Sequence, residues 1–320
     1  MADYTNEKGQ TVIATASDPA NPTEGQIWYN STSATAKVRV YVTPAWASGG
    51  DLNVGRRGAK GNGTRTAALH VGGFNPGFFA NGKTESYDGT SFTAENDQVN
   101  PSGPLGGSFS QAPQGTAVSF GAQPGPNSTQ TQLWDGTSWS LGNTMQVGLQ
   151  KSWGMGTRDA GLAAGGFSYD GVNPGTGNYS QEYDGTSWAN GNNMGTHINS
   201  HTGGGSQTAA WCAGYVTNVF EYDGTCWSNA PGVGPNQQLM GGAGPQTDGL
   251  VFGGQPATTT TSFYDGTSFT TGPTMSLARS NGGAASGTGQ GSALAVGNGP
   301  NVVTTEELDG GFQTQSITSS

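Results

Sequence analysis

"EYDGTSW", residues 182–188, is nearly repeated along the chain, and its reading decides the fold. The copies are Tyr87-Asp88-Gly89-Thr90-Ser91-Phe92, Trp134 to Trp139, Tyr183 to Trp188, Tyr222 to Trp227, Tyr264 to Phe269, and a degenerate Leu308-Asp309-Gly310-Gly311-Phe312. An Asp-Gly pair between strand residues predicts a two-residue hairpin, because both central positions of a type I′ turn need positive φ. The flanking aromatics bury about 150–250 Å² each. The phrase therefore reads as a structural staple, one per repeat.

The closing aromatics stand at 92, 139, 188, 227, 269 and 312, so successive spacings are 47, 49, 39, 42 and 43. A period of roughly 40–50 residues holding several short strands points to the blades of a β-propeller. Upstream of each corner lies a small-residue strand ending at or near a glycine pair: "ALHVGGF" (68–74), "AVSFGAQ" (117–123), "LAAGGF" (162–167), "AWCAGY" (210–215), "LVFGGQ" (250–255) and "ALAVGN" (294–299). Each unit parses into four strands: a Gly-rich first strand such as "SWGMGT" (152–157), the run ending in glycine, the strand leading to Tyr-Asp-Gly, and a last strand opening with Trp or Phe. Small residues in the first two suit strands crowded at an axis. The aromatics of the last two fill the wedge between neighbouring sheets.

Composition agrees. Of 320 residues, 32% are hydrophobic and 10% charged, and 57 are glycine. Each interior glycine costs a helix about 1 kcal/mol against alanine, whereas tight turns use its positive φ. The net charge of −10, with no basic cluster beyond Arg56, Arg57 and Lys60, argues against nucleic acid and anionic membranes as partners. No apolar run is long enough to span a bilayer, and no signal peptide is evident at the N-terminus, so neither membrane insertion nor signal-directed export is expected.

The order glycine pair, Tyr, Trp resembles the kelch repeat over residues from about 47 to 312. It departs from that pattern in its tight Tyr-x4-Trp spacing and in losing the pair at Ala122, Ala213 and Asn298. The resemblance implies a propeller and no particular activity. The expectation is all-β: a six-bladed kelch-like propeller over 47–320 preceded by a β-hairpin arm over 1–46, or seven blades with one partial N-terminal blade.

Residues 17–46, "SDPANPTEGQIWYNSTSATAKVRVYVTPAW", hold two alternating strands around a polar turn. Gly25, Ile27, Trp28, Tyr29, Asn30, Tyr41 and Trp46 match a short β-module that this stretch resembles, one found in bacteriophage tail-fibre and other virion proteins. Propeller repeats behind such a module look like structural proteins of marine, cyanophage-like tailed phages. Ile27, Trp28, Tyr29, Val40 and Tyr41 lie in a segment too short to bury them alone, since an isolated hairpin is marginal in water. They are the candidate attachment residues. The alternative is that these strands complete the propeller, with Trp46 in a closing hairpin.

Catalytic signatures are missing. The six corner aspartates belong to separate repeats, so neither a calcium cage nor a glycosidase carboxylate pair is singled out. His197, His201, Cys212 and Cys226 fall in one repeat without zinc-type spacing. The histidines read as polar surface residues, and the two cysteines read as unpaired. No cofactor or metal is expected. Phe78, Phe79, Tyr169, Asp170 and Tyr179 stand in variable loops between the second and third strands. Such loops are where a rigid scaffold carries recognition.

The resulting expectation is a non-enzymatic virion structural protein on the outer surface of a tail or capsid, a tail fibre or appendage. It would meet other virion proteins or further copies of itself, with a host cell-surface glycan as a further candidate. A kelch-like carbohydrate-active enzyme and a cellular adaptor propeller are the alternatives.

Overall fold

A computed structural model describes residues 12–20, 22–74, 80–101, 106–121, 129–168, 177–214, 216–230, 234–235, 237–280, 284–297 and 302–317. The chain is all-β and divides into two compact units, Met1–Pro44 with Gly310–Ser320, and Ala45–Asp309.

It opens with β1 (Ile13–Thr15), β2 (Ile27–Asn30) and the long β3 (Thr35–Ser48). The second unit begins with a four-stranded sheet of β4 (Lys60–Thr64), β5 (Ala67–Val71), β6 (Thr84–Tyr87) and β7 (Phe92–Ala94). A second contains β8 (Gly107–Ser108), β9 (Val118–Phe120), β10 (Thr131–Trp134) and β11 (Trp139–Leu141). Then come β12 (Leu149–Gln150), β13 (Trp153–Gly156), β14 (Gly161–Ala164), β15 (Phe167–Ser168), β16 (Ser180–Tyr183) and β17 (Trp188–Asn190). Of these, β13, β14, β16 and β17 form the third sheet, and β12 with β15 a small separate ladder. The fourth holds β18 (Thr202–Ser206), β19 (Ala209–Gly214), β20 (Val216–Tyr222) and β21 (Trp227–Ala230). The fifth holds β22 (Gly241–Ala243), β23 (Gly249–Phe252), β24 (Thr261–Tyr264) and β25 (Phe269–Thr271). The chain ends with β26 (Ala284–Gly289), β27 (Ser292–Val296) and β28 (Thr305–Ser316), and β28 is bordered by β3.

The first strands of these sheets touch in sequence: β4 meets β8, β8 meets β13, β13 meets β18, β18 meets β22, β22 meets β26, and β26 meets β4. Glycine permits the approach. A Cβ on Gly154 would run into the Ser108 carbonyl of the preceding sheet, and one on Gly204 into the Gly244 carbonyl of the following one. The apolar core lies between consecutive sheets. Leu69 and Val71 pack with Trp134 and Trp139, and Phe109 and Phe120 with Tyr183 and Trp188. Leu162 packs with Phe220, Trp211 with Tyr264, and Phe252 with Leu308; Leu294 and Val296 join Tyr87 and Phe92. Many small antiparallel sheets joined face to face in this way are compatible with a propeller.

The corner differs from the expected type I′ turn. Tyr183 pairs with Trp188, so four residues make the loop, and of them only Gly185 has positive φ, at 94°. Asp184 closes the loop with its side chain: Oδ1 accepts from the backbone N–H groups of Thr186 and Ser187 at 2.8 and 2.7 Å. Asp88, Asp135, Asp223 and Asp265 do the same. This is the aspartate's own local turn chemistry, and the Ser187 hydroxyl adds a bond to Asp184 Oδ2 at 3.0 Å.

The sixth copy is no corner. Leu308 to Phe312 runs straight through β28, whose Asp309 pairs with Ser292 of β27. Gly311 replaces the threonine, and Asp309 is drawn instead to Arg65, 3.1 Å away. The last sheet therefore takes its fourth strand from β3, and Trp46 fills the slot of a corner aromatic. Its Nε1 donates to Thr261 Oγ1 at 2.9 Å, as Trp139 donates to Thr84 and Trp188 to Thr131. The strand Thr35–Ser48 thus belongs to this six-stranded sheet.

Candidate binding surfaces

Most acidic groups of the larger unit have structural partners. Glu85 pairs with Arg56 at 2.7 Å, both side chains essentially buried, and also accepts from the Asn53 backbone. Glu306 takes Arg279 at 2.9 Å and the Ser276 N–H at 2.7 Å. Three tyrosines bridge sheets through their hydroxyls: Tyr87 donates to Glu307, Tyr222 to Glu182, and Tyr264 to Glu221. Burial, reinforced by the Glu307 carboxylate, pushes the Tyr87 hydroxyl up to about 12. No group of three or more His, Cys, Asp or Glu side chains converges as a metal set among the described residues.

The loop residues fare differently. Phe78, Phe79, Tyr169 and Asp170 lie outside the described residues. Tyr179 is half-buried against the cluster containing Phe109, Tyr183 and Trp188, so its ring takes part in the packing between sheets.

In the smaller unit β1 runs parallel to β2, and β2 antiparallel to β3. Register sets Ile27 opposite Val38 and Tyr29 opposite Ala36, which puts Val40 and Val42 on the same face two and four residues beyond Val38. Ile27 and Tyr29 are 46% and 39% exposed, and Val38, Val40 and Val42 half-buried. The other face carries Trp28, Lys37, Arg39 and Tyr41, with the Tyr41 and Phe312 rings edge-to-face at 5.2 Å. Trp28 is fully buried, which corrects its reading as an attachment residue. Asp18 holds it, accepting from Trp28 Nε1 at 3.0 Å, Asn30 Nδ2 at 2.7 Å and Lys37 Nζ at 2.7 Å. Those bonds, Lys37 foremost, lower the Asp18 carboxyl to about 2. Asn30 Oδ1 in turn accepts from the Thr32 and Ser33 N–H groups and shapes the polar turn. Beside the strands a cleft of about 540 Å³ is lined by Val12, Ile13, Thr23, Glu24, Gly25, Gln26 and Ile27. Among the described residues ten large apolar side chains are exposed, and seven of them are here: Val12, Ile13, Ile27, Tyr29, Tyr41, Phe312 and Ile317.

The histidines correct another expectation. His70 and His201 are 2% and 3% exposed, and no ring nitrogen of either is hydrogen-bonded within the geometric limits of a good bond. Burial pushes His201 down to about 3, with the Lys60 ammonium adding to the effect. His197 stays near the surface side, its Nε2 at 2.9 Å from Asn199 Nδ2. Cys212 is buried in the core and Cys226 exposed, and both are free. Sequence reasoning missed the buried histidines although His70, between Leu69 and Val71, lies in a stretch already read as an inner strand; His201, between Ser200 and Thr202, has polar neighbours that look like a surface turn. Gly165 lacks the Cβ that would collide with the His201 ring.

No family model matches the chain, and no curated protein matches it.

Proposed function

We propose that the chain is a six-bladed β-propeller whose last blade is completed by β3, and that it serves as a non-enzymatic structural protein. Its smaller unit is the attachment point. The observation that carries this is the concentration of exposed apolar side chains on that unit, while the acidic groups of the larger one are engaged in turns and inter-sheet pairs. The blade count is supported by the cyclic succession of first-strand contacts and by core clusters between each consecutive pair of sheets, including the last and the first.

The setting we propose is a virion of a tailed phage, as a tail fibre or a tail or capsid appendage meeting other virion proteins or copies of itself. Support for that setting comes from the resemblance of the stretch from Gly25 to Trp46 to tail-fibre modules. The polar residues of the stretch have local duties at Asp18 and Asn30, which leaves the apolar face of Ile27, Tyr29 and Val40 for a partner.

The test is an Ile27→Ser, Tyr29→Ser, Val40→Thr variant of the full chain. It is expected to melt as the parent does in its larger unit but to be lost from particles purified by density gradient. Incorporation at the parental level would refute attachment through this face. A matched deletion of residues 1–40, which spares Trp46, is expected to leave the larger unit folded.

A further inference from the structure

The cleft in the smaller unit adjoins a strand edge that no other strand covers. β1 is the last strand of its sheet and among the described residues is bordered by β2 alone. The Ser31 N–H donates to the Thr15 carbonyl at 2.8 Å, so Thr15 turns its backbone groups toward β2. Backbone groups alternate in direction along a strand, and Ala14 therefore turns its N–H and C=O outward. An edge of this kind is a template for pairing with a further strand.

Next to this edge the cleft of about 540 Å³ presents Val12, Ile13 and Ile27, which are 50%, 58% and 46% exposed. The rest of its lining is the turn from Thr23 to Gln26, held in place by the protein's own bonds. Gln26 N–H donates to the Thr23 carbonyl at 3.0 Å, and Gln26 Oε1 accepts from the Thr23 N–H at 2.9 Å. Gly25 N–H donates to the Arg39 carbonyl at 2.8 Å and Arg39 N–H to the Gln26 carbonyl at 3.0 Å, which straps the turn to β3. Gly25 has a φ of 78° there, a conformation that suits glycine. Glu24 is the one charged residue among the described ones lining the cleft; it is exposed, and no salt bridge engages it among the described residues. The chain as a whole carries a net charge of −10, so its field favours a cationic partner over an acidic one.

We propose that β1 and this cleft bind an extended segment of a partner protein by strand addition, the segment being apolar at alternate positions and carrying a Lys or Arg. It pairs with the outward N–H and C=O of Ala14. One of its apolar side chains enters the cleft against Ile13 and Ile27, and its cation meets Glu24. In strand addition the main-chain bonds supply affinity, and pockets for alternate side chains supply specificity. The inference rests on the reading of the smaller unit as the attachment point, and it states the chemistry of what attaches there.

The experiment pans the full chain against a ribosome-displayed library of random heptapeptides and measures the affinity of each enriched peptide by fluorescence anisotropy. Enriched peptides should alternate apolar residues and carry Lys or Arg. Ala14→Pro removes the outward N–H and no bond to β2, a place where an edge strand tolerates proline. It should weaken binding about fivefold, as expected for one backbone hydrogen bond. Glu24→Lys, at an exposed position, should weaken it about tenfold at low salt and less at high salt, and should favour the same peptides with Glu in place of Lys. Both variants keep Ile27, Tyr29 and Val40, so the peptide measurement and the particle test of the attachment face fail or succeed separately. A library without enrichment, enriched peptides that are acidic, or binding indifferent to either substitution would overturn the proposal. So would either of two other occupants. Enrichment only after deletion of residues 2–11 would mean that the chain's own N-terminal residues fill the cleft, and dimerisation abolished by Ala14→Pro would mean that a second copy does.

Discussion

Replacing Trp46 with alanine tests whether β3 is an integral strand of the last sheet. The indole is half-buried, sits edge-to-face with Phe252 at a centroid distance of 5.4 Å, and donates to Thr261 Oγ1 at 2.9 Å. Truncating a buried Trp costs about 3–5 kcal/mol, and partial exposure places this one near the lower end. The lost aromatic pair accounts for about 1 kcal/mol of that. Thr261 is 2% exposed, so its orphaned hydroxyl adds to the loss, about 1–3 kcal/mol when no water reaches it. These contributions overlap, and the expected total is about 3–4 kcal/mol. Trp46→Phe keeps the ring contact and removes only the donor, for about 1–2 kcal/mol. Urea unfolding followed by tryptophan fluorescence should show a lowered midpoint with an unchanged slope, since the surface exposed on unfolding hardly alters. A loss below about 1 kcal/mol for Trp46→Ala would refute the reasoning, because no inter-sheet indole whose Thr partner is buried should be so dispensable.

Two further expectations concern charge. The carboxyls of Asp88, Asp135, Asp184, Asp223 and Asp265 are held below the ordinary aspartate range, chiefly by the backbone N–H of the corner serine (Cys226 at Asp223). Groups depressed on folding contribute stability above their unfolded value that is lost as pH falls through the folded one. Melting temperature should therefore drop steeply below about pH 4, and Asp184→Asn, which keeps the side-chain acceptor, should flatten that slope; an unchanged slope would contradict it. Arg279→Met leaves Glu306 buried without its partner and should cost about 3–5 kcal/mol, while Arg279→Met with Glu306→Leu should regain most of it; a double variant as unstable as the single would argue against the pair.

The strands of the larger unit were legible because their signals are local. "LAAGGF" became β14 and "SWGMGT" became β13, since alternation, small residues and a following glycine act within a few positions. Corner positions were legible too, although the turn type was not. Asp-Gly alone suggests a two-residue turn, and only the hydrogen bonds from Thr186 and Ser187 reveal that the side chain of Asp184 makes a four-residue loop. Of the proposed attachment residues, Ile27, Tyr29 and Tyr41 are exposed and Trp28 is not. The difference rests on Asp18, ten residues before Trp28, whose role no periodicity announces.

By itself the sequence determined an all-β chain of repeated short strands, because glycine, Asp-Gly corners and alternating apolar residues constrain backbone and burial locally. The tertiary structure decided which strands share a sheet. Trp46 and Thr261 are 215 positions apart, and the degenerate "LDGGF" lost its corner because β3 occupied the place of its fourth strand. It also decided the fate of His201 and Lys60, brought together from different sheets. Burial and charge at such a meeting depend on what surrounds the side chain in space, which neighbours in sequence do not specify.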